Sequence, residues 1–174
     1  MLLRAFTLAV VFMISACAQV TKAPSLSPPS EEIRSSDTVV NLTGMGDVKF
    51  GLKRSDLTRH LNTDLPGCNT QMRAHPQASL VFTQDDNFVL MWFDAPLRTA
   101  EGIATGASLD AVKAAYPKAG EIKAPQGSHR FDGLLVTEGD FGYLFLHDGK
   151  NVRKAIAGYA EYLHRLFETG FGVC

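Results

Sequence analysis

Apolar and polar positions along this chain change rhythm three times. Residues 5–14 are uncharged and mostly apolar behind a single cation, Arg4, and two small residues, Ser15 and Ala16, follow. That run is about half the roughly 20 residues a helix needs to cross a bilayer, so residues 1–16 read as an export signal rather than a permanent span. Residues 18–37 lose periodicity and hold three prolines (Pro24, Pro28, Pro29) and five serines, which predicts a disordered tether over 17–37. At about 3.1 Å per residue in polyproline geometry, such a tether reaches up to roughly 60 Å. From residue 38 onward regular apolar spacing returns, and it predicts one folded unit over 38–174.

Two segments of that unit repeat a pattern: VKFGLKRSDLTRHL (residues 48–61) and GIATGASLDAVKAAYP (residues 102–117). Aligned on Gly51 and Gly106, Leu57 matches Val112, Leu61 matches Tyr116, and Ser55 and Asp110 fall early in each helix. Each reads as a short extended lead-in, a glycine turn and a helix of about ten residues. In the second, Ser108 can accept from a free amide at the helix start, Asp110 suits the positive end of the helix dipole, and Pro117 ends the helix. The first has Lys53 at the cap position, so its helix is expected to start later, at Ser55.

Hairpin-like sequence follows each helix. SLVFT and FVLMWFDA join through residues 84–87; LLVTE joins GYLFLH through Gly139 and Asp140; residues 148–151 turn into VRKAIAGYA. Asp132-Gly133, between Phe131 and Leu134, also reads as a two-residue hairpin turn, since both positions tolerate positive φ. At the end, EYLHRLFE places Tyr162, Leu163, Leu166 and Phe167 at helical spacing; a longer helix over 155–168 is the alternative. The fold class is α+β: two tandem modules, about 46–97 and 98–174, each with its helix packed on one face of an antiparallel sheet.

One strand breaks the amphipathic rule. In FVLMWF both alternate sets are apolar, with Phe88, Leu90 and Trp92 on one face and Val89, Met91 and Phe93 on the other. Either the strand is central and buried on both faces, or Phe88, Leu90 and Trp92 form an open patch for a partner.

Residues Ile14, Ser15, Ala16 and Cys17 resemble the bacterial lipoprotein lipobox. The resemblance implies cleavage before Cys17, lipidation of that cysteine with diacylglycerol and a further acyl chain such as palmitate, and an extracytoplasmic protein lipid-anchored to a bacterial membrane. Two or three chains, at about 0.8 kcal/mol per buried methylene, anchor durably. Ala16-Cys17-Ala18 is also an A-x-A site, whose cleavage would release a soluble secreted protein. The two glycine-helix openings and the closing GFGVC resemble the small secreted bacterial lipoproteins of tandem modules. Those modules are similar to the β-lactamase inhibitor protein and, in single copy, to the SmpA/OmlA lipoprotein of outer-membrane assembly. That family precedent implies protein binding rather than catalysis, with no individual contact residue carried over.

With Cys17 outside the fold, Cys68 and Cys174 form an even pair in an oxidising compartment, and a disulfide between them is predicted. The competing role for Cys68, a nucleophile, lacks a helix start or adjacent cation to lower its pKa. The five histidines (His60, His75, His129, His147, His164) are scattered without metal-ligand spacing, and there is no GxSxG, HExxH or P-loop. No metal, cofactor or catalytic residue is therefore assigned.

Composition narrows the partners. Arg4 is one of 17 basic residues, so the processed chain carries 16 against 18 acidic ones, dispersed without blocks. That balance offers no basic face for nucleic acid. A hydrophobic fraction of 45% is normal for a globular domain. The expectation is a non-catalytic, membrane-tethered protein-binding or assembly module of the cell envelope, whose protein partner the sequence does not name. The alternative is an extracytoplasmic enzyme with a site assembled from residues distant in sequence.

Overall fold

The computed structural model describes residues 38–62, 67–128 and 130–170. The signal, tether and Cys17 lie outside the described residues, as do Cys174 and His129. The elements run β1 (Val39–Val40), β2 (Gly44–Met45), β3 (Val48–Lys49), a 3-10 helix (Arg54–His60), β4 (Asn69–Gln71), β5 (Ala78–Phe82), β6 (Phe88–Phe93) and β7 (Arg98–Thr99). They continue with α1 (Leu109–Ala115), β8 (Gly120–Ile122), β9 (Asp132–Glu138), β10 (Phe141–His147), β11 (Val152–Tyr159) and α2 (Ala160–Thr169). The architecture is α+β.

Among the described residues, seven strands form one antiparallel sheet in the order β4-β5-β6-β11-β10-β9-β8. The hairpins predicted at residues 84–87, 139–140 and 148–151 are all present. Two meanders meet where β6 pairs with β11, with Trp92 opposite Ile156. The small β2-β3 hairpin and the parallel β1-β7 pair stand apart from this sheet.

Both faces of the sheet are covered. On one, Phe88, Tyr143 and Phe145 pack with Leu57 of the 3-10 helix, Val112 of α1, and Val40 and Phe50 of the leading segment. On the other, Leu163, Leu166 and Phe167 of α2 pack on Leu90, Leu144 and Ile156. The 3-10 helix and α1 share the first face, as the one-sided reading of the two module helices expects, while α2 leaves β11 without a loop and folds onto the opposite face. Ala160 N–H bonds the Asp140 carbonyl at 2.8 Å, which fixes that reversal. The longer alternative for the last helix is excluded, because residues 155–159 are strand. Gly170, at φ 74°, closes α2 with a left-handed cap.

The two glycine openings are bonded in matching ways. Gly51 N–H donates to the Phe88 carbonyl at 2.8 Å, and Phe88 N–H returns to Leu52 at 2.9 Å. Gly106 N–H donates to the Val152 carbonyl at 2.8 Å, and Val152 N–H returns to Ala107 at 2.9 Å. One step on, Lys53 bridges Asn87 and Ser108 bridges Asn151.

The helices after these openings are each seven residues long, shorter than predicted. Ser108 caps α1, accepting from Ala111 N–H at 3.1 Å. Lys53 has no side-chain acceptor to offer, and the first helix takes the tighter 3-10 form. It nevertheless starts at Arg54, not Ser55, because the β5-β6 turn holds that residue. Arg54 N–H bonds the Asp86 carbonyl at 2.9 Å and its Nε meets Asp86 Oδ1 at 2.9 Å.

Asp132 and Gly133 are not a hairpin turn but the first residues of β9, opposite His147 and Leu146. Asp132 Oδ1 accepts from Ala124 N–H at 3.0 Å and Oδ2 from Lys123 Nζ at 2.9 Å, which ties the strand start down. Gly133 serves a close approach: a Cβ there would sit 2.9 Å from Ile122 Cγ1.

Candidate functional site

β6 carries the surface that the apolar pattern singled out, and the structure divides it. Val81 pairs with Leu90 and Phe82 with Phe88, so Val89 is an extra, bulged residue. The bulge shifts the alternation by one. Phe88 turns into the core beneath the 3-10 helix, while Leu90 and Trp92 face α2. Phe88 and Leu90 are fully buried, so the three do not form one open patch; only Trp92 reaches the surface. Its ring is covered by Lys154, whose Nζ lies 5.1 Å from the centroid, in a small hollow of about 250 Å³ that Phe131 and Phe167 also line.

A larger cleft, of about 670 Å³, opens on the other side of the sheet. The end of α1 supplies Ala115 and Tyr116, β9 supplies Val136, β10 supplies Tyr143, and the turn between β1 and β2 supplies Leu42. Glu101, Glu138 and Lys118 bring charge to it. Each is placed by local structure. Glu101 sits on the turn after β7, where Gly102 N–H bonds the Thr99 carbonyl at 2.9 Å and Thr99 N–H bonds Ile103 at 2.8 Å. Pro117 ends α1, and Ala119 N–H closes the turn onto the Tyr116 carbonyl at 3.0 Å.

The tyrosines form the floor. Tyr116 stacks on Phe145, centroids 5.7 Å apart, and tilts against Tyr143 at 5.8 Å. Its hydroxyl donates to Glu101 Oε2 in a short bond. Tyr143 donates to the Val40 carbonyl at 2.9 Å. Burial, reinforced by Glu101, pushes both hydroxyls far above the ordinary phenol range. They are therefore neutral hydrogen-bonding groups at physiological pH rather than proton acceptors.

The cleft also borders a strand edge. β8 pairs with β9 only at residues 133–135. Residues 136–138 run on with β10 on one side and, among the described residues, no strand on the other. The chain before β8 cannot continue the ladder, because Pro117 has no N–H and Ala119 N–H is used in the turn.

No protein-family model, curated protein or solved structure matches this chain.

The remaining predicted site residues lie elsewhere. Cys68 is half-buried in the bend just before β4, its carbonyl accepting from Phe82 N–H at 2.8 Å, and it is not a free thiol. Among the described histidines, His60 accepts from Arg59 Nε, His164 pairs with Glu168, and His147 is buried at the end of β10. None of these lines the large cleft. Among the described residues no group of three or more His, Cys, Asp or Glu is arranged to hold a metal ion, and no helix is long and apolar enough to cross a membrane. Sequence reasoning missed the cleft because it gathers one or two residues from each of five separate segments. The one hint was the pairing of Leu61 with Tyr116 in the two helix openings, where an aromatic replaces an aliphatic core residue.

Proposed function

We propose that this chain is a non-catalytic protein of the bacterial envelope, lipid-anchored through Cys17, that acts as a protein-binding or assembly module. The cleft between α1 and β9 is its recognition site. The observation that carries this reading is the coincidence of an apolar, tyrosine-floored cleft with an open strand edge. Pockets of about 300–1,000 Å³ with a few placed polar groups are the usual form of binding sites, and an open edge supplies backbone bonds to a second chain.

The domain in this reading is two tandem modules, in keeping with its resemblance to the two-module lipoproteins. Three matches support it: the paired bonds of Gly51 and Gly106, the bridges of Lys53 and Ser108, and the bulges at Val89 and Arg153. The β6-β11 register is what a two-fold between modules requires. With Phe88 equivalent to Val152, Trp92 is equivalent to Ile156, and these two residues face each other. Cys68 pairs with Cys174 and holds the C-terminus to the first module.

A photo-crosslinking amino acid at Thr137 in the exported full chain tests the site, with one at Lys113 on the exposed side of α1 as the control. A discrete adduct from Thr137 alone is the expected result. Equal yields from both positions, or none, would overturn the assignment. Mass spectrometry of the mature N-terminus tests the anchor: an acylated Cys17 is expected, and a chain beginning at Gln19 would remove the anchor but not the export.

A further inference from the structure

Resting on that reading of the cleft, we propose that its occupant is an extended polypeptide segment bearing a basic side chain, added as a strand beside residues 136–138 of β9. Backbone, charge and shape each bear on the choice.

The backbone argument comes from how β8 ends. A sheet edge carries unpaired N–H and C=O groups at every second residue, and proteins normally cover or guard such edges. Here β8 covers the edge as far as Leu135 and then peels away at Ala119. The uncovered run is three residues, about 10 Å at 3.3 Å per residue, and it forms one wall of the cleft. The space β8 vacates therefore has strand spacing on one side and an apolar floor beneath.

The charge argument selects a cation. Among the described residues, two carboxylates, Glu101 and Glu138, line the cleft against one ammonium, Lys118. Burial is the main cause that raises the Tyr143 hydroxyl's pKa, and Glu101 and then Glu138 add to it in the same direction. Tyr116 uses Oε2 of Glu101, leaving Oε1 for a ligand donor. A Lys or Arg side chain entering over the Tyr116 ring meets a carboxylate and an aromatic face together, a combination that favours cations over anions. The simpler role of Glu138 and Lys118, as charges that stop edge-to-edge aggregation, would leave neither a cleft nor a preference for one sign of ligand.

The test uses the full mature chain in detergent and three fluorescent, end-blocked pentapeptides read by anisotropy. These are Val-Lys-Val-Arg-Val, its counterpart with Glu in place of both basic residues, and the basic peptide N-methylated at alternate residues. The basic peptide is expected to bind at least tenfold more tightly than the other two and to slow hydrogen exchange at the Thr137 amide. Glu101→Gln combined with Glu138→Gln should erase the preference over the acidic peptide. Equal binding of the acidic peptide would overturn the charge argument, and undiminished binding of the N-methylated one the strand argument. If no peptide binds while the Thr137 crosslink to a partner persists, the occupant is not a basic strand and this inference fails while the binding function stands. Loss of the crosslink as well removes both.

Discussion

Gly142 of β10 and Gly158 of β11 face each other across the sheet directly beneath the start of α2. A Cβ at Gly142 would run into the Val136 carbonyl and crowd Leu163 at 3.3 Å; one at Gly158 would run into the Val89 carbonyl and press Leu90. The pair thus lets neighbouring strands and the helix close on one another. Gly142→Ala is expected to destabilise the fold by about 3 kcal/mol, the upper end for overpacking, because the obstacle is backbone that cannot rotate away. Gly120→Ala, whose Cβ would meet only the Leu135 carbonyl at 3.8 Å, should stay within about 0.5 kcal/mol. Urea unfolding of the two variants makes the comparison; equal stabilities would mean that the glycine pair is not needed for the packing of α2.

The divided fate of β6 can be read the same way. Leu90 is fully buried against α2, whereas Trp92 is half-exposed beneath Lys154. Leu90→Ala should cost about 2–5 kcal/mol through transfer and cavity terms. Trp92→Ala should cost less despite the larger side chain, and the variant should keep a cooperative thermal transition. A Trp92→Ala chain that fails to fold would make this residue core rather than surface.

His147 predicts the acid behaviour. It is buried at the end of β10 with Nδ1 accepting from Gly149 N–H at 3.2 Å, so its neutral form is the one the fold accommodates. Burial holds its pKa below the ordinary imidazole value of 6.5. Asp132 opposes that shift, Lys123 adds to it, and the more remote Glu121 and Lys113 contribute with opposite signs. The unfolded chain therefore binds the proton more readily, and stability falls as pH drops below about 6.5 toward the lower folded value. His147→Phe, which keeps an apolar ring at this buried position, should flatten the melting temperature between pH 7 and 5. A slope unchanged in that variant would assign the acid sensitivity to other groups.

The disulfide proposal concerns a loop of about a hundred residues, for which chain entropy assigns up to roughly 4.7 kcal/mol. Non-reducing peptide mapping of natively exported protein should recover Cys68 and Cys174 in one linked fragment. Cys174→Ala should then lower the melting temperature, and the reductant sensitivity of the parent chain should disappear in that variant. Recovery of both thiols free in the parent would end the proposal.

Parts of this fold were legible in the sequence because they obey local rules. Ser108 capped α1 as its position implied, Pro117 followed its end, and the i, i+3, i+4 spacing of Leu163, Leu166 and Phe167 marked the buried stripe of α2. Strands β1, β2, β4, β7 and β8 were not legible, since two or three residues are too few to show alternation; β3 was legible only as the extended lead-in to Gly51. The bulge at Val89 defeated period-two counting within a strand whose position was otherwise clear. Asp132-Gly133 carried a turn signature that tertiary contacts with Ala124, Lys123 and Ile122 overrode. The cleft was hidden for a different reason: Glu101, Tyr116, Val136 and Tyr143 meet only after α1 and the leading segment have docked on the sheet.

Tyr143 links that docking to the cleft, and its hydroxyl can be removed without disturbing its ring. It donates to the Val40 carbonyl, which belongs to β1, and Val40 in turn is in register with Thr99 of β7, two residues before Glu101. Tyr143→Phe keeps the ring contacts with Tyr116 and Phe145 but strips a buried carbonyl of a donor, a loss of about 1–3 kcal/mol. Because β1 then holds β7 less firmly, the amides of Thr99 and Ile103 should exchange faster than those of α2. Hydrogen exchange with residue-level readout separates this from a general loss of stability, in which protection in α2 would fall by the same factor. Uniform loss would mean that the leading segment does not position Glu101, and the carboxylate's place in the cleft would then rest on the Tyr116 bond alone.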